Sequence, residues 1–249
     1  MRGVILDSDS FDRGDLDTAA LDNALDHWTR HRSTMSDEVL KRLEGYEVVV
    51  TNKVVIDATA MESPALRLIV VAATGTNNID LTAAARRGIT VCNVRDYASA
   101  AVSQHVFSLV LALVTHLGDY TKAVGQGRWQ QSKVFCMLDY PIRELAGLTL
   151  GIIGYGNLGR RVAQIAQGFQ MQVLICARPG SEAVPDGRVP LNTLLRTADV
   201  ISLHCPLSDA TRNLIGKAQL QKMKSDAILI NTARGGIVNE DDLAAALRH

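Results

Sequence analysis

A chain of 249 residues with 26 basic and 26 acidic side chains has no formal net charge. Bulk charge therefore gives no reason to expect a nucleic-acid or membrane-surface partner, and the length fits one large or two small domains. Apolar residues make up 47% of the chain and aromatics only 4%, an Ala/Val/Leu/Ile-rich balance that suits helices packed on a buried parallel sheet. The four cysteines, Cys92, Cys136, Cys176 and Cys205, are far apart with no C-x-x-C pair. Neither a disulfide framework nor a zinc site is expected, and a reducing cytoplasm is the default compartment. The opening MRGVILDSDS has too short an apolar run for a signal peptide.

In chain order, residues 4–6 read as a strand, followed by helical spacing at Leu16, Ala19, Ala20 and Leu25. DEVLKRL is helix-like and precedes a second strand at 48–50. Residues 68–73 form a continuous apolar run, then the turn TGTNN, a helix over 81–87 stopped by Gly88, and a strand in ITVCNV. A long helix is expected over 98–117; Gln104, His105 and several serines mark it as a core helix and not a membrane span. Residues 118–146 look irregular. The alternation restarts with the strand in LTLGIIG, a helix over 157–168, and strands in MQVLIC, DVISLHC and AILIN. This βα rhythm argues for open parallel sheets of the α/β class, in two units with boundaries at 1–97 and 98–249. With no Gly/Ser-rich linker between them, the long helix is the expected hinge, and the cleft between two such lobes is the expected ligand site.

GYGNLG places Gly154, Gly156 and Gly159 in a G-x-G-x-x-G pattern. The pattern alone is weak, but here it follows a buried strand (149–153) and opens a helix, the context a dinucleotide site needs. Gly154 serves the tight turn, Gly156 lets backbone approach the pyrophosphate, and Gly159 lets helix pack on strand. The amides near Asn157 and Leu158 at the helix start suit a phosphate. An Asp or Glu at the end of the following strand would bind the ribose diol, but the chain has Ala177 there, followed by Arg178. Arg178 is either an exposed loop residue or a partner for a ribose 2′-phosphate.

Four segments in order, ATGTNNIDL (73–81), GYGNLG, SLHCPL (202–207) with Thr211 downstream, and INTARGG (230–236), resemble the D-2-hydroxyacid dehydrogenases. The match runs over essentially the whole chain in one register, and residues 133–160 are most similar to the glycerate dehydrogenase/hydroxypyruvate reductase branch. The resemblance implies two Rossmann-like or flavodoxin-like lobes, 1–97 binding substrate and 98–249 binding NADP or NAD. It assigns the substrate carboxylate to backbone amides of Thr74 and Gly75, where a Gly turn after a strand can form an anion nest. It places His204, Cys205 and Pro206 along the adenosine pocket and has Thr232 and Ala233 present backbone to the nicotinamide. Gln104 and His105 receive no catalytic role.

Arg234 is the expected catalytic and substrate-binding residue. Reducing a 2-oxo acid requires a polarised carbonyl, a held carboxylate and a proton for the nascent alkoxide. A planar guanidinium can contact both carboxylate and carbonyl oxygen, and it stabilises charge that develops in the transition state. Gly235 and Gly236 leave room for the reactants. In the family the proton comes from a histidine supported by a glutamate, about fifty and about thirty residues beyond the arginine. Only fifteen residues follow Arg234 here. His27, His31, His116 and His249 stand in the wrong context to replace the donor, and DDLAAALRH stops inside an amphipathic helix. The expectation is a family member without its last sheet strands, its C-terminal helix and the Glu/His pair. The alternative is a catalytically inactive dinucleotide-binding or regulatory scaffold on the same fold. A methyltransferase using the glycine loop is a weaker alternative that gives INTARGG and ATGTNN no role. The expected substrate is a small 2-oxo acid such as hydroxypyruvate, glyoxylate or phosphohydroxypyruvate, with loop 53–56 reading the group beyond the oxo acid. A homodimer is expected, with Trp129, Phe135 and Met137 as a candidate partner surface.

Overall fold

The computed structural model describes every residue except Glu182 and His249. The chain divides into two compact units, Met1–Tyr97 and Ala98–His249.

The first unit is a five-stranded, all-parallel sheet of β1 (Arg2–Ile5), β2 (His27–Arg30), β3 (Val48–Thr51), β4 (Leu68–Val71) and β5 (Thr90–Asn93), in the order β2-β1-β3-β4-β5. That 2-1-3-4-5 order is the flavodoxin-like arrangement. β3 is buried along its whole length, as a strand covered on both faces should be. The helices are short: α1 (Ala19–Asp22), α2 (Val39–Leu43) and α3 (Leu81–Arg86). Asp80 starts α3 by accepting a 2.8 Å hydrogen bond from the Ala83 amide. Only Ala19–Asp22 of the helix expected from residue 16 onward is helical, and the unexpected strand β2 follows it. Its sequence, HWTR, lacks an apolar run because β2 is the sheet's edge and only Trp28 and Thr29 are partly buried. Trp28 donates from Nε1 to the Leu21 carbonyl at 2.8 Å and lies opposite Gly3, where a Cβ would be 2.5 Å from the indole ring.

The second unit carries β6 (Thr149–Ile153), β7 (Gln172–Ile175), β8 (Val200–Leu203) and β9 (Ile228–Asn231), parallel in the order β7-β6-β8-β9. A parallel bridge from Cys176 to Val189 adds a further position beyond β7, so the sheet reads 3-2-1-4-5, the Rossmann succession. Leu150 and Ile152 of β6 face one layer, formed by α4 (Ser99–Val114) and α7 (Asn157–Gly168). Ile153 faces the other, where Leu194 and Leu195 of α8 (Leu191–Thr197) pack. The smaller helices are α5 (Leu117–Gly125), α6 (Arg128–Gln131), α9 (Lys217–Leu220) and α10 (Glu240–Ala246).

Two expectations are corrected here. The helix expected over 98–117 ends at Val114, because His116 adopts a left-handed conformation at φ 49° and the next helix departs at 62°. Residues 118–146 are not irregular throughout: α5 and α6 occupy their first part, with Gly125 inside α5 and Gly127 at φ 78° preceding α6. Among the described residues no single helix is long and apolar enough to cross a membrane.

Candidate active site

Ligands of open α/β sheets bind at the carboxyl ends of the strands, where the chain reverses its direction of sheet building. In the second unit that point lies between β6 and β8, and the glycine loop occupies it. Gly154 has φ 99°, and a Cβ there would lie 2.5 Å from the Cys205 nitrogen and 2.5 Å from the His204 carbonyl carbon. The loop after β6 thus rests directly on the loop after β8. Gly159 packs α7 onto the strand end, since a Cβ would come within 2.2 Å of the Gly154 carbonyl oxygen. Gly156 differs: no protein atom lies within 4 Å of its would-be Cβ. As the N-cap of α7 it brings no capping side chain, and a helix N-terminus of this kind suits an anionic ligand. Leu158 is partly buried against the α4 layer, and Asn157 accepts from Arg160 Nη2 at 3.1 Å.

Two buried polar atoms nearby find no hydrogen-bond partner among the described residues: Nδ1 of His204 and Oγ1 of Thr232. The pairing of Leu203 with Asn231 makes these residues neighbours just past β8 and β9. Buried polar atoms are rarely left without a partner, and two on neighbouring strand ends at the carboxyl edge are what a polar ligand edge would satisfy. Nε2 of His204 is 2.9 Å from the buried Ser202 Oγ, and burial lowers the imidazole pKa to about 4. His204 is therefore neutral at pH 7 and is no imidazolium proton donor. Burial pushes the Cys176 thiol up to about 11, with Cys205 adding to the shift, and burial raises the Cys205 thiol too. Neither thiol is a nucleophile at neutral pH.

Thr211 is buried; its hydroxyl donates to the Pro206 carbonyl at 2.7 Å and accepts from the Ser208 amide at 2.8 Å. Its side chain thus holds the Pro206 loop in shape. At the end of β9, Asn231 accepts from the Ala233 amide at 3.1 Å and donates to the Arg234 carbonyl at 2.9 Å. This clamp fixes the turn that carries Arg234, a role the sequence reading did not give Asn231. Arg234 is exposed at the carboxyl edge, with Nη1 donating to the Ala233 carbonyl at 2.7 Å. Arg178 is exposed after Ala177, which is buried. Gly154, Gly156, Asn157, Leu158, Gly159, His204, Cys205, Pro206, Thr232, Ala233 and Arg234 all lie in the loops, or in the first turn of α7, that follow β6, β8 and β9 at one edge of this sheet.

In the first unit, Thr74 and Gly75 follow β4 at its carboxyl end. Their amides donate to no described protein acceptor, while Asn93 Nδ2 donates to the Thr74 carbonyl at 2.7 Å. The switch point of this sheet, between β1 and β3, is filled by Asp7. Its buried carboxylate accepts from the Asn52 amide at 2.9 Å, the Lys53 amide at 2.7 Å and Ser10 Oγ at 3.1 Å. His27 and His31 belong to this unit, and His116 marks the α4–α5 break. His249 lies outside the described residues. Among the described residues no group of three or more His, Cys, Asp or Glu is placed to hold a metal.

A glycine loop on the first strand of a 3-2-1-4-5 sheet is the arrangement of a dinucleotide-binding domain. Residues 107–249 match the NAD-binding domain of D-isomer-specific 2-hydroxyacid dehydrogenases. The chain is 46% identical over 241 residues to a glycerate dehydrogenase of Methylorubrum extorquens, covering 95% of this chain and 75% of that one. It is 36% identical over 253 residues to a hydroxypyruvate reductase of Blautia hydrogenotrophica, covering 99% and 79%. The crystal structure of the TT0316 protein from Thermus thermophilus superposes with a TM-score of 0.82 at 30% identity, covering 100% of this chain and 78% of that one. The chain belongs to the D-isomer-specific 2-hydroxyacid dehydrogenases.

Proposed function

We propose that the protein interconverts a small 2-oxo acid, hydroxypyruvate or glyoxylate, with its D-2-hydroxy acid, at Arg234 and with a nicotinamide dinucleotide in the second unit. The observation that carries this reading is the shared sheet edge, which gathers an open Gly156, the unpartnered His204 Nδ1 and Thr232 Oγ1, and the Asn231-clamped turn of Arg234. The similarity to a glycerate dehydrogenase and a hydroxypyruvate reductase supports the choice of substrate.

In this reading the first-turn amides of α7 and the backbone of Gly156 hold the pyrophosphate, and the backbone of His204, Cys205 and Pro206 borders the adenosine. Thr232 and Ala233 face the nicotinamide, which supplies or takes the hydride when bound. Arg234 orients the substrate carboxylate and polarises the carbonyl, and its charge counts most as the oxygen becomes an alkoxide, which at this exposed edge takes its proton from solvent water. Within the first unit, Thr74 and Gly75 are the carboxylate-binding amides of this proposal, and Asp7 anchors the 53–56 loop, the proposed reader of the group beyond the oxo acid. Ala177 leaves no acid to repel a ribose 2′-phosphate, so NADP is admitted and favoured over NAD. The test is steady-state oxidation of NADPH and NADH with hydroxypyruvate, glyoxylate and phosphohydroxypyruvate. Dinucleotide binding with no hydride transfer to any of the three would favour the inactive scaffold instead.

The same proposal includes a homodimer. Of the expected surface residues, Trp129 and Phe135 are exposed in and after α6, Phe135 at 92%, whereas Met137 is half-buried; Leu138 and Ile142 are exposed beside them, an apolar group that a partner copy would cover. Light scattering at micromolar concentration checks it; a monomer throughout would remove this part.

A further inference from the structure

Arg188 was not singled out by the sequence, yet it occupies the outer end of the dinucleotide sheet. It lies next to Val189, which bridges to Cys176, with the Ala177 amide donating to the Val189 carbonyl at 2.8 Å and the Val189 amide to the Ile175 carbonyl at 2.9 Å. From this added sheet position the half-buried Arg188 reaches back across the end of β7. Its Nη1 donates to the Cys176 carbonyl at 3.3 Å, and its guanidinium carbon stands 5.9 Å from the centre of the Tyr155 ring, in the glycine loop after β6. Arg160, in the first turn of α7, stands 6.0 Å from the same ring. Two guanidiniums thus share one aromatic ring at the edge of cation–π range.

The end of the second strand is where dinucleotide sheets read the adenosine ribose. Ala177 supplies no carboxylate there, and Arg188 spans that place. One of its donors is spent on a carbonyl, which fixes the fork; a guanidinium has four more. A forked, positioned guanidinium suits a phosphate monoester better than a flexible one. Arg178, by contrast, is exposed on the departing loop.

Building on the proposed dinucleotide reading, we propose that Arg188, braced between the Cys176 carbonyl and the Tyr155 ring, is the residue that selects a ribose 2′-phosphate, with Arg160 as a second positive charge and Arg178 as a bystander. The preference for NADPH resides in a residue that crosses β7 from the next strand position.

The experiment is fluorescence or calorimetric titration of wild type, Arg188→Gln, Arg160→Gln and Arg178→Gln with NADPH and NADH at fixed ionic strength. Adenosine 2′,5′-bisphosphate and 5′-AMP serve as nicotinamide-free probes. Arg188→Gln should weaken NADPH and adenosine 2′,5′-bisphosphate by about 10- to 100-fold, the scale of a lost charge-assisted phosphate contact. NADH and 5′-AMP should stay within about threefold, and their retained affinity reports that the variant is folded. Arg160→Gln should shift the NADPH/NADH ratio in the same direction by a smaller factor, and Arg178→Gln should leave the ratio unchanged. An unchanged ratio in Arg188→Gln, or a collapse of the ratio in Arg178→Gln, overturns the assignment while leaving dinucleotide binding intact. If neither dinucleotide binds the wild type, the underlying reading fails, and this inference with it.

Discussion

Two of the three glycines in the phosphate loop should respond in opposite ways to a single methyl group, which separates packing from ligand contact. At Gly159 a methyl would stand 2.2 Å from the Gly154 carbonyl oxygen, whereas such contacts rest at about 3.3 Å. α7 must therefore retreat by about 1 Å. Overpacking of this kind costs about 1–3 kcal/mol, and replacing a helical glycine by alanine returns about 1 kcal/mol, so the net loss is about 1 kcal/mol. For a chain of this size that lowers the melting temperature by about 2–4 °C. The displaced first-turn amides should weaken dinucleotide binding, and a 1 Å misplacement should slow turnover by about 100-fold. At Gly156 the methyl meets no protein atom within 4 Å, and φ is −83°. Gly156→Ala should melt with the wild type or slightly above it, yet lose dinucleotide affinity because the methyl fills the ligand's approach. Thermal melts and cofactor titrations on both variants decide the matter. Wild-type affinity in Gly156→Ala would refute close approach at that position, and an unshifted melt in Gly159→Ala would refute the packing argument.

Three further outcomes follow from named contacts. The unfolded chain takes up a proton at the His204 position near pH 6.5, while the folded chain refuses it until about pH 4; stability is therefore lost as pH falls between those values, by up to about 3 kcal/mol. Urea unfolding from pH 7 to pH 4 should show this loss, and His204→Gln should flatten it; an identical slope in the variant would show that another group carries the effect. Asp7→Ala strands the Asn52 and Lys53 amides and should cost about 1–3 kcal/mol, with Asp7→Asn losing less because it keeps an acceptor; urea melts of equal midpoint would contradict the clamp. In active enzyme Arg234→Ala should lose about 100- to 1000-fold in kcat/KM, and Arg234→Lys should recover little of it because an ammonium lacks the fork; near-normal kinetics in the lysine variant would reduce Arg234 to a turn residue.

What the sequence revealed of the fold was what periodicity encodes. β3, β6 and β8 are buried throughout and read as short, mainly apolar runs, and α7 was bounded by its own glycine loop. β2 escaped because an edge strand with one large apolar side chain has no such run. The break at His116 was invisible because a left-handed histidine has no composition signal, and Gly125 and Gly127 suggested loop where one lies inside a helix and the other introduces one. Within the candidate site, the glycines and Arg234 were legible because their spacing is local. Asn231, Asp7 and Arg188 were not, since each acts through a backbone group brought near by sheet pairing or a turn. Arg188 is the clearest case: it nears Tyr155, more than thirty residues earlier in the chain, only because Val189 pairs with Cys176.

The two sheets share a topology around their first strands, and a single residue type sets them apart. In both, the first strand has the second on one side and a later strand on the other, which creates a crevice at the carboxyl end. After β1 the crevice receives Asp7, whose carboxylate takes the Asn52 and Lys53 amides for itself. The chain's own anion occupies the place where an external one could bind, and the adjoining loop becomes rigid. After β6 the corresponding end receives Gly154, which brings no side chain and lets the neighbouring strand's backbone close to contact distance. Gly156 brings no capping side chain to α7, and among the described residues His204 Nδ1 and Thr232 Oγ1 have no hydrogen-bond partner. An anion built into one crevice and withheld from the other assigns the dinucleotide to the second sheet. In the first sheet, the proposed carboxylate contact falls instead on the amides of Thr74 and Gly75 beyond β4.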